Sequence, residues 1–166
     1  PGHNQLEGAR LSWESDWKKI EQKIDRTLNK GIRATLFEVS TAIIKETPAD
    51  TGRARGNWQA SVGRGATGTI EGISSERSGQ AIAINSVNQT VSVAVGGIYY
   101  LTNNLPYIGV LEYGTYPTTF KHNVKQEGGP KITRDGFSLQ APYGMVRKNM
   151  QNFNRLFVKN LKAASK

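Results

Sequence analysis

From Trp17 to Ile43 the apolar residues fall at Trp17, Ile20, Ile24, Leu28, Ile32, Leu36, Val39 and Ile43, every step being three or four residues. That spacing marks one face of a single long helix, and any fold for this chain has to accommodate it. Ser15 or Asp16 can cap its start, Pro48 blocks continuation past Thr47, and only Gly31 interrupts the pattern. A helix of roughly 30 residues would be about 45 Å long, more than a compact domain of this size needs. Either it is a core helix, or its ends reach a partner. Residues 1–14 read as a disordered or arm-like N-terminus, leaving residues 15–166 as one domain.

The remaining apolar residues are few. Hydrophobic content is 37% and mean hydropathy is −0.50, so the core must be concentrated in a few segments. Asp50-Thr51-Gly52-Arg53 reads as a turn into a short helix, with Asp50 as its cap. Residues 58–62 read as a strand, and 64–79, rich in Gly, Ser and Thr, as a mobile loop. Residues 80–87 fit helix or strand equally. Val91, Val93 and Val95 alternate with polar or small residues, which predicts a strand over 90–95. A Gly96-Gly97 turn then predicts a hairpin with a strand over 98–102. In NNLPYIGVLEYG, residues 103–114, Asn103 or Asn104 can cap a short helix, Pro106 suits its first turn, and Gly114 supplies a left-handed stop. Tyr107, Val110 and Leu111 would share its buried face, because two turns of helix are not stable unless packed. An irregular stretch runs from Gly114 to Gln140. From Pro142 onward the pattern is helical, with Val146, Met150, Phe153, Phe157 and Leu161 on one face. Lys148, Arg155, Lys159, Lys162 and Lys166 lie opposite, and no acid follows Asp135.

The residues offer little to a reaction. There is no cysteine, hence no disulfide or thiolate metal site. Gly63 to Gly68 fits G-x-G-x-x-G, but more loop follows where a phosphate-binding helix should begin, and no ribose-binding acid lies downstream. His3 and His122 each stand alone, too few to ligate a metal. The nucleophile elbow G-x-S-x-G does not occur. Glu112 is the only acid inside an apolar motif and has no carboxylate nearby in sequence; Arg147 is its expected partner in an ion pair. No catalytic residue, cofactor or metal is expected. No apolar run approaches the roughly 20 residues that span a bilayer, and PGHNQLEGAR lacks a secretory apolar core, so a soluble chain is expected. The net charge of +9 favours polyanions or acidic protein surfaces as neighbours, although no nucleic-acid-reading motif is present.

Four motifs occur in order: Thr47-Pro48-Ala49-Asp50-Thr51-Gly52-Arg53; Gly56-Asn57-Trp58; Asn103-Asn104-Leu105-Pro106-Tyr107 with Leu111-Glu112-Tyr113-Gly114; and Gln140-Ala141-Pro142-Tyr143-Gly144-Met145-Val146-Arg147. This series resembles the neck and tail-completion (head–tail joining) proteins of tailed bacteriophages, over residues 15–157. The resemblance implies an α+β fold, a small antiparallel sheet packed by the long first helix and a C-terminal helix, with long loops. It implies a structural virion protein at the head–tail junction, present in the host cytoplasm during assembly. Its copies would form a ring, commonly of six, between the head connector or adaptor protein and the tail terminator or tail tube protein. Genomic DNA would pass through the lumen, with no membrane, cofactor or catalysis involved. Asp50, Thr51, Gly52, Arg53, Trp58, Asn104, Pro106, Tyr107, Leu111, Glu112, Gly114, Pro142, Gly144 and Arg147 are then the candidate interface and structural residues. The chain departs from this pattern where residues 115–137 separate Gly114 from Ser138, an insertion expected to reach an adjacent subunit or the next ring. The basic face of the last helix would point outward or toward an acidic connector. A second reading of the same sequence is a basic nucleic-acid-binding or packaging accessory protein.

Overall fold

The computed structural model describes residues 3–93, 96–114, 133 and 135–166, with the side chains of 3–12 left out. Six helices and two strands follow in the order α1 (His3–Glu46), α2 (Arg53–Gly56), β1 (Gln59–Val62), α3 (Glu76–Val91), β2 (Tyr99–Thr102), α4 (Ile108–Tyr113), α5 (Val146–Met150) and α6 (Phe153–Ala164) among these residues. The fold is α+β: an antiparallel pair, β1 with β2 from Gln59↔Thr102 to Val62↔Tyr99, packed with the long first helix and the C-terminal helices.

Helix α1 runs 44 residues, about 66 Å at 1.5 Å per residue. It begins at His3 rather than at Ser15, so residues 3–14 are helical. Only its second half is a core helix. Thr35, Val39, Ser40, Ile43, Ile44 and Thr47 are buried there, against α3 on one side and α6 on another. Gly31 does not interrupt the helix. A methyl group at that position would lie 2.6 Å from Leu161 Cδ2, so the missing side chain is what lets α6 lie close.

The predicted strand over 90–95 is not formed up to Val93. Residues 76–91 form α3 instead, started by a capping box in which Ser75 Oγ accepts from the Ser78 amide and Ser78 Oγ from the Ser75 amide, each at 3.2 Å. Gly79, Ala83, Val87 and Val91 recur every four residues and form its buried face. The hairpin partner of β2 is therefore β1, nearly forty residues upstream, and residues 94 and 95 lie outside the described residues. α3 covers one side of β1, with Ala60 N–H donating to Ser86 Oγ at 3.0 Å. Tyr99 of β2 joins Ser40 of α1 at 2.9 Å, fixing the sheet against the first helix. The C-terminal helical region is two helices, broken at Gln151 and Asn152. Its basic side is partly neutralised, because Lys148 pairs with Glu46 and Lys159 with Glu38 of α1, each at 3.2 Å.

Candidate functional site

The four motifs converge at the C-terminal end of α1. Thr47, fully buried, is the centre of the first two. Its hydroxyl donates to the Ile43 carbonyl and accepts from Trp58 Nε1, both at 2.7 Å. Its carbonyl, otherwise one of the orphans that end every helix, accepts from Arg55 Nε at 3.1 Å and Nη2 at 2.9 Å. Arg55 also pairs with Glu76 at the start of α3. Trp58 is thus a core residue with its one polar atom satisfied.

The turn before α2 differs from expectation. Asp50 and Thr51 are exposed, and the cap position is Gly52 at φ 80°, with no side chain closing the helix start. Gly52 is required for packing: α2 and α3 meet backbone to backbone, and a Cβ on Gly79 would collide with the Gly52 carbonyl. Arg53 pairs with Glu71 at 3.2 Å. That contact is one of several that hold residues 64–75, which are tied down and not a free loop. Asn57, fully buried, both donates to the Ile70 carbonyl at 3.0 Å and accepts from the Ile70 amide at 2.7 Å. Gln59 donates to the Gly68 carbonyl at 2.7 Å.

The third motif adds to the same network. Asn103 and Asn104 cap nothing: Asn103 donates to the Ala54 carbonyl, and Asn104 to the carbonyls of Ala66 and Gly68, all at 2.9 Å. Tyr107 takes the cap position of α4 without a side-chain hydrogen bond, and Gly114 ends the helix at φ 70° as expected. The buried face differs. Leu105, Leu111 and Glu112 are buried, while Tyr107 and Pro106 are exposed.

Glu112 is the most informative residue, a carboxylate only 6% exposed. Oε2 accepts from the amides of Met145 at 2.8 Å and Val146 at 2.9 Å, and Oε1 from the Arg147 amide at 3.0 Å and its Nε at 3.2 Å. Arg147 Nη2 returns to the Glu112 carbonyl at 2.8 Å, and the guanidinium lies 4.9 Å over the Tyr113 ring. The expected ion pair is present, but it is the lesser part. Glu112 chiefly caps α5 from another helix, satisfying amides at its start with a negative charge. Burial pushes its pKa up, while the three amides and the guanidinium together bring it below the ordinary value. Gly144, at φ 75°, makes room: a Cβ there would stand 2.6 Å from the Glu112 carbonyl oxygen and 2.9 Å from Oε2. The fourth motif also returns to the first, since Gln140 accepts from the Ala49 amide at 2.8 Å and donates to its carbonyl at 3.2 Å.

Thr47, Arg55, Asn57, Gln140 and Met145 carry as much of this hub as the residues singled out from the sequence, and each lies within a motif or two residues beyond it. Around the hub Tyr107, Tyr113, Leu139, Tyr143 and Met150 are exposed, Tyr143 by 74%. Pro142 is exposed beside Tyr143. Most of the insertion at 115–137, with His122, lies outside the described residues. Among the described residues no three His, Cys, Asp or Glu side chains stand together where they could hold a metal ion. No helix among them is long and apolar enough to cross a membrane. Comparison with protein-family models, with curated proteins and with solved structures gives no match.

Proposed function

We propose that the protein is a structural component of the head–tail junction of a tailed bacteriophage, a ring-forming neck or tail-completion protein without catalysis or cofactor. Its copies, commonly six, sit between the head connector and the tail terminator or tube and let DNA through the lumen. One observation supports this most. The motif segments that carry the resemblance, though spread over a hundred residues of chain, bond to one another in a single hub. The polar groups of that hub are spent on holding it together: Glu112 has four donors on its two oxygens, and Trp58, Thr47 and Asn57 are satisfied internally. The hub fixes the positions of Tyr113 and Tyr143, whose exposed rings suit a protein contact. Replacing both by alanine should leave the fold intact while DNA-filled heads and finished tails accumulate unjoined in electron micrographs. Normally joined particles from that variant would refute the reading, as would labelling of the protein anywhere but the head–tail junction.

One feature favours the accessory-protein reading. Lys19, Lys23, Arg26 and Lys30 of α1 line an open cleft of about 340 Å³ beside Ala164 and Ser165. A polyanion-binding role predicts salt-dependent co-sedimentation with DNA, lost on neutralising Lys23 and Lys30.

A further inference from the structure

The first half of α1 carries an apolar stripe that nothing among the described residues covers. Trp13, Trp17, Ile20, Ile24 and Leu28 are exposed, the two indoles by 68% and 58%. Those indoles stack on one helix face with centroids 6.2 Å apart. From Trp13 to Ile24 the steps are four, three and four residues, the narrow a/d seam of a coiled coil. Past Ile24 the steps become four, four and four, through Leu28 and Ile32 to Leu36, as the helix enters its own domain. Such a seam is filled by another helix.

We propose that the occupant is the same segment of a second copy of this chain, paired antiparallel. Charge favours the direction. Residues 14–21 hold Glu14, Asp16 and Glu21 against Lys18 and Lys19, whereas 22–30 hold Lys23, Arg26 and Lys30 against Asp25. Antiparallel pairing brings the first base of the second stretch, Lys23, beside an acid of the first. With Trp17 facing Ile20 and Trp13 facing Ile24 of the second copy, Asp16 flanks Lys23 across the seam. Glu14 then meets Glu21, an opposing pair. Parallel pairing would instead set Asp16 against Glu21 with no attractive pair in return, and would crowd four indoles into adjacent layers. It would also bring two basic domains side by side, whereas antiparallel pairing holds them at opposite ends. Indole against isoleucine matches large with smaller side chains, as close packing needs. The exposed parts of the five side chains amount to on the order of 500 Å², so self-pairing buries about 1,000 Å² in total before flanking residues are counted. That reaches the lower bound of a specific interface, which a partner with a smaller apolar face would not. The pairing lies at the opposite end of α1 from the hub; because it turns the two domains in opposite directions it joins free chains, not neighbours in a ring whose copies all point one way, and its test is independent of the head–tail reading.

Sedimentation equilibrium of the full chain should show a dimer. Ile20→Glu with Ile24→Glu should raise its dissociation constant on the order of a hundredfold or more while the thermal unfolding of the domain is retained. The chain has no cysteine, so introduced ones report direction cleanly. Asp16→Cys chains mixed with Lys23→Cys chains should form a disulfide, and Asp16→Cys mixed with Glu21→Cys should not. A monomer at every concentration, an assembly that survives the two glutamates, or a disulfide between positions 16 and 21 would each overturn the proposal.

Discussion

Glu112→Gln separates a capping carboxylate from a simple ion pair. In the amide, one oxygen becomes an NH2 group, and either orientation points that group at two N–H donors. With Oε2 replaced, these are the amides of Met145 and Val146; with Oε1 replaced, the amide and Nε of Arg147. Each buried donor left without an acceptor costs about 1–3 kcal/mol, so the substitution should cost roughly 2–6 kcal/mol. That is a large share of the roughly 5–15 kcal/mol by which domains are stable. Arg147→Met removes the guanidinium but leaves the three amides their acceptor, and the arginine side chain is half exposed. It should cost only about 0.5–1 kcal/mol. Reversing the pair, with arginine at 112 and glutamate at 147, should not restore stability, because a guanidinium offers the α5 amides nothing to donate to. The assay is urea unfolding, read as a shift in midpoint at constant slope. Its pH dependence follows from the direction of the shift. The folded pKa of Glu112 lies below the unfolded one, so its contribution is full above the unfolded value of about 4.3 and is lost as pH falls through the folded value. Wild type and Glu112→Gln should therefore differ most at neutral pH and converge in acid. Equal costs for Glu112→Gln and Arg147→Met, or a gap unchanged in acid, would refute the capping role.

Trp58→Ala should cost about 3–5 kcal/mol, because it empties a core site and removes the donor to the buried Thr47 hydroxyl. Trp58→Phe isolates the lost hydrogen bond and should cost less; equal losses in urea unfolding would place the stability elsewhere than in packing. Asp50→Ala should be nearly neutral, since Asp50 is exposed and caps nothing, whereas Ser75→Ala should cost about 0.5–2 kcal/mol through the α3 capping box. The reverse order in paired thermal melts would contradict both placements.

The long helix was legible because its apolar period of three and four is a strong local signal, whereas the fold class came from the motif resemblance. Its true start was not. Residues 3–14 carry helix-forming residues such as Leu6, Glu7, Ala9 and Arg10, and Leu6, Ala9 and Trp13 lead into Trp17 by steps of three and four, so propensity and a weaker period together extend the helix there. For 90–95 the alternation of Val91, Val93 and Val95 outweighed a weaker cue, the small or apolar residues at 79, 83, 87 and 91 that fit the buried face of a helix. Asn103 and Asn104 looked like caps because they precede Pro106, yet their amides tie distant carbonyls, a tertiary role that spacing does not encode. The Glu112–Arg147 pair could be guessed from charge. That the same carboxylate serves three amides could not, because backbone donors carry no sequence signature.

The two halves of α1 place different demands on the sequence, and their junction explains why an exposed stripe is tolerable. The second half is locked by the hub: Arg55 caps its end, Trp58 bonds its last hydroxyl, and α6 lies against Gly31. From Trp13 onward the first half gains no burial from the described residues of its own domain, and such a helix alone would be marginal in water. Here it is an extension of a turn already formed, so no nucleation cost applies, and its helicity should weaken with distance from the anchor toward His3. An antiparallel partner acts where that weakness is greatest. It sets Trp13, toward the less supported end of each arm, against Ile24 of the other copy, which lies nearer an anchored domain. Each copy thus holds in place the end that the other cannot hold for itself, and parallel pairing would leave both weak ends together.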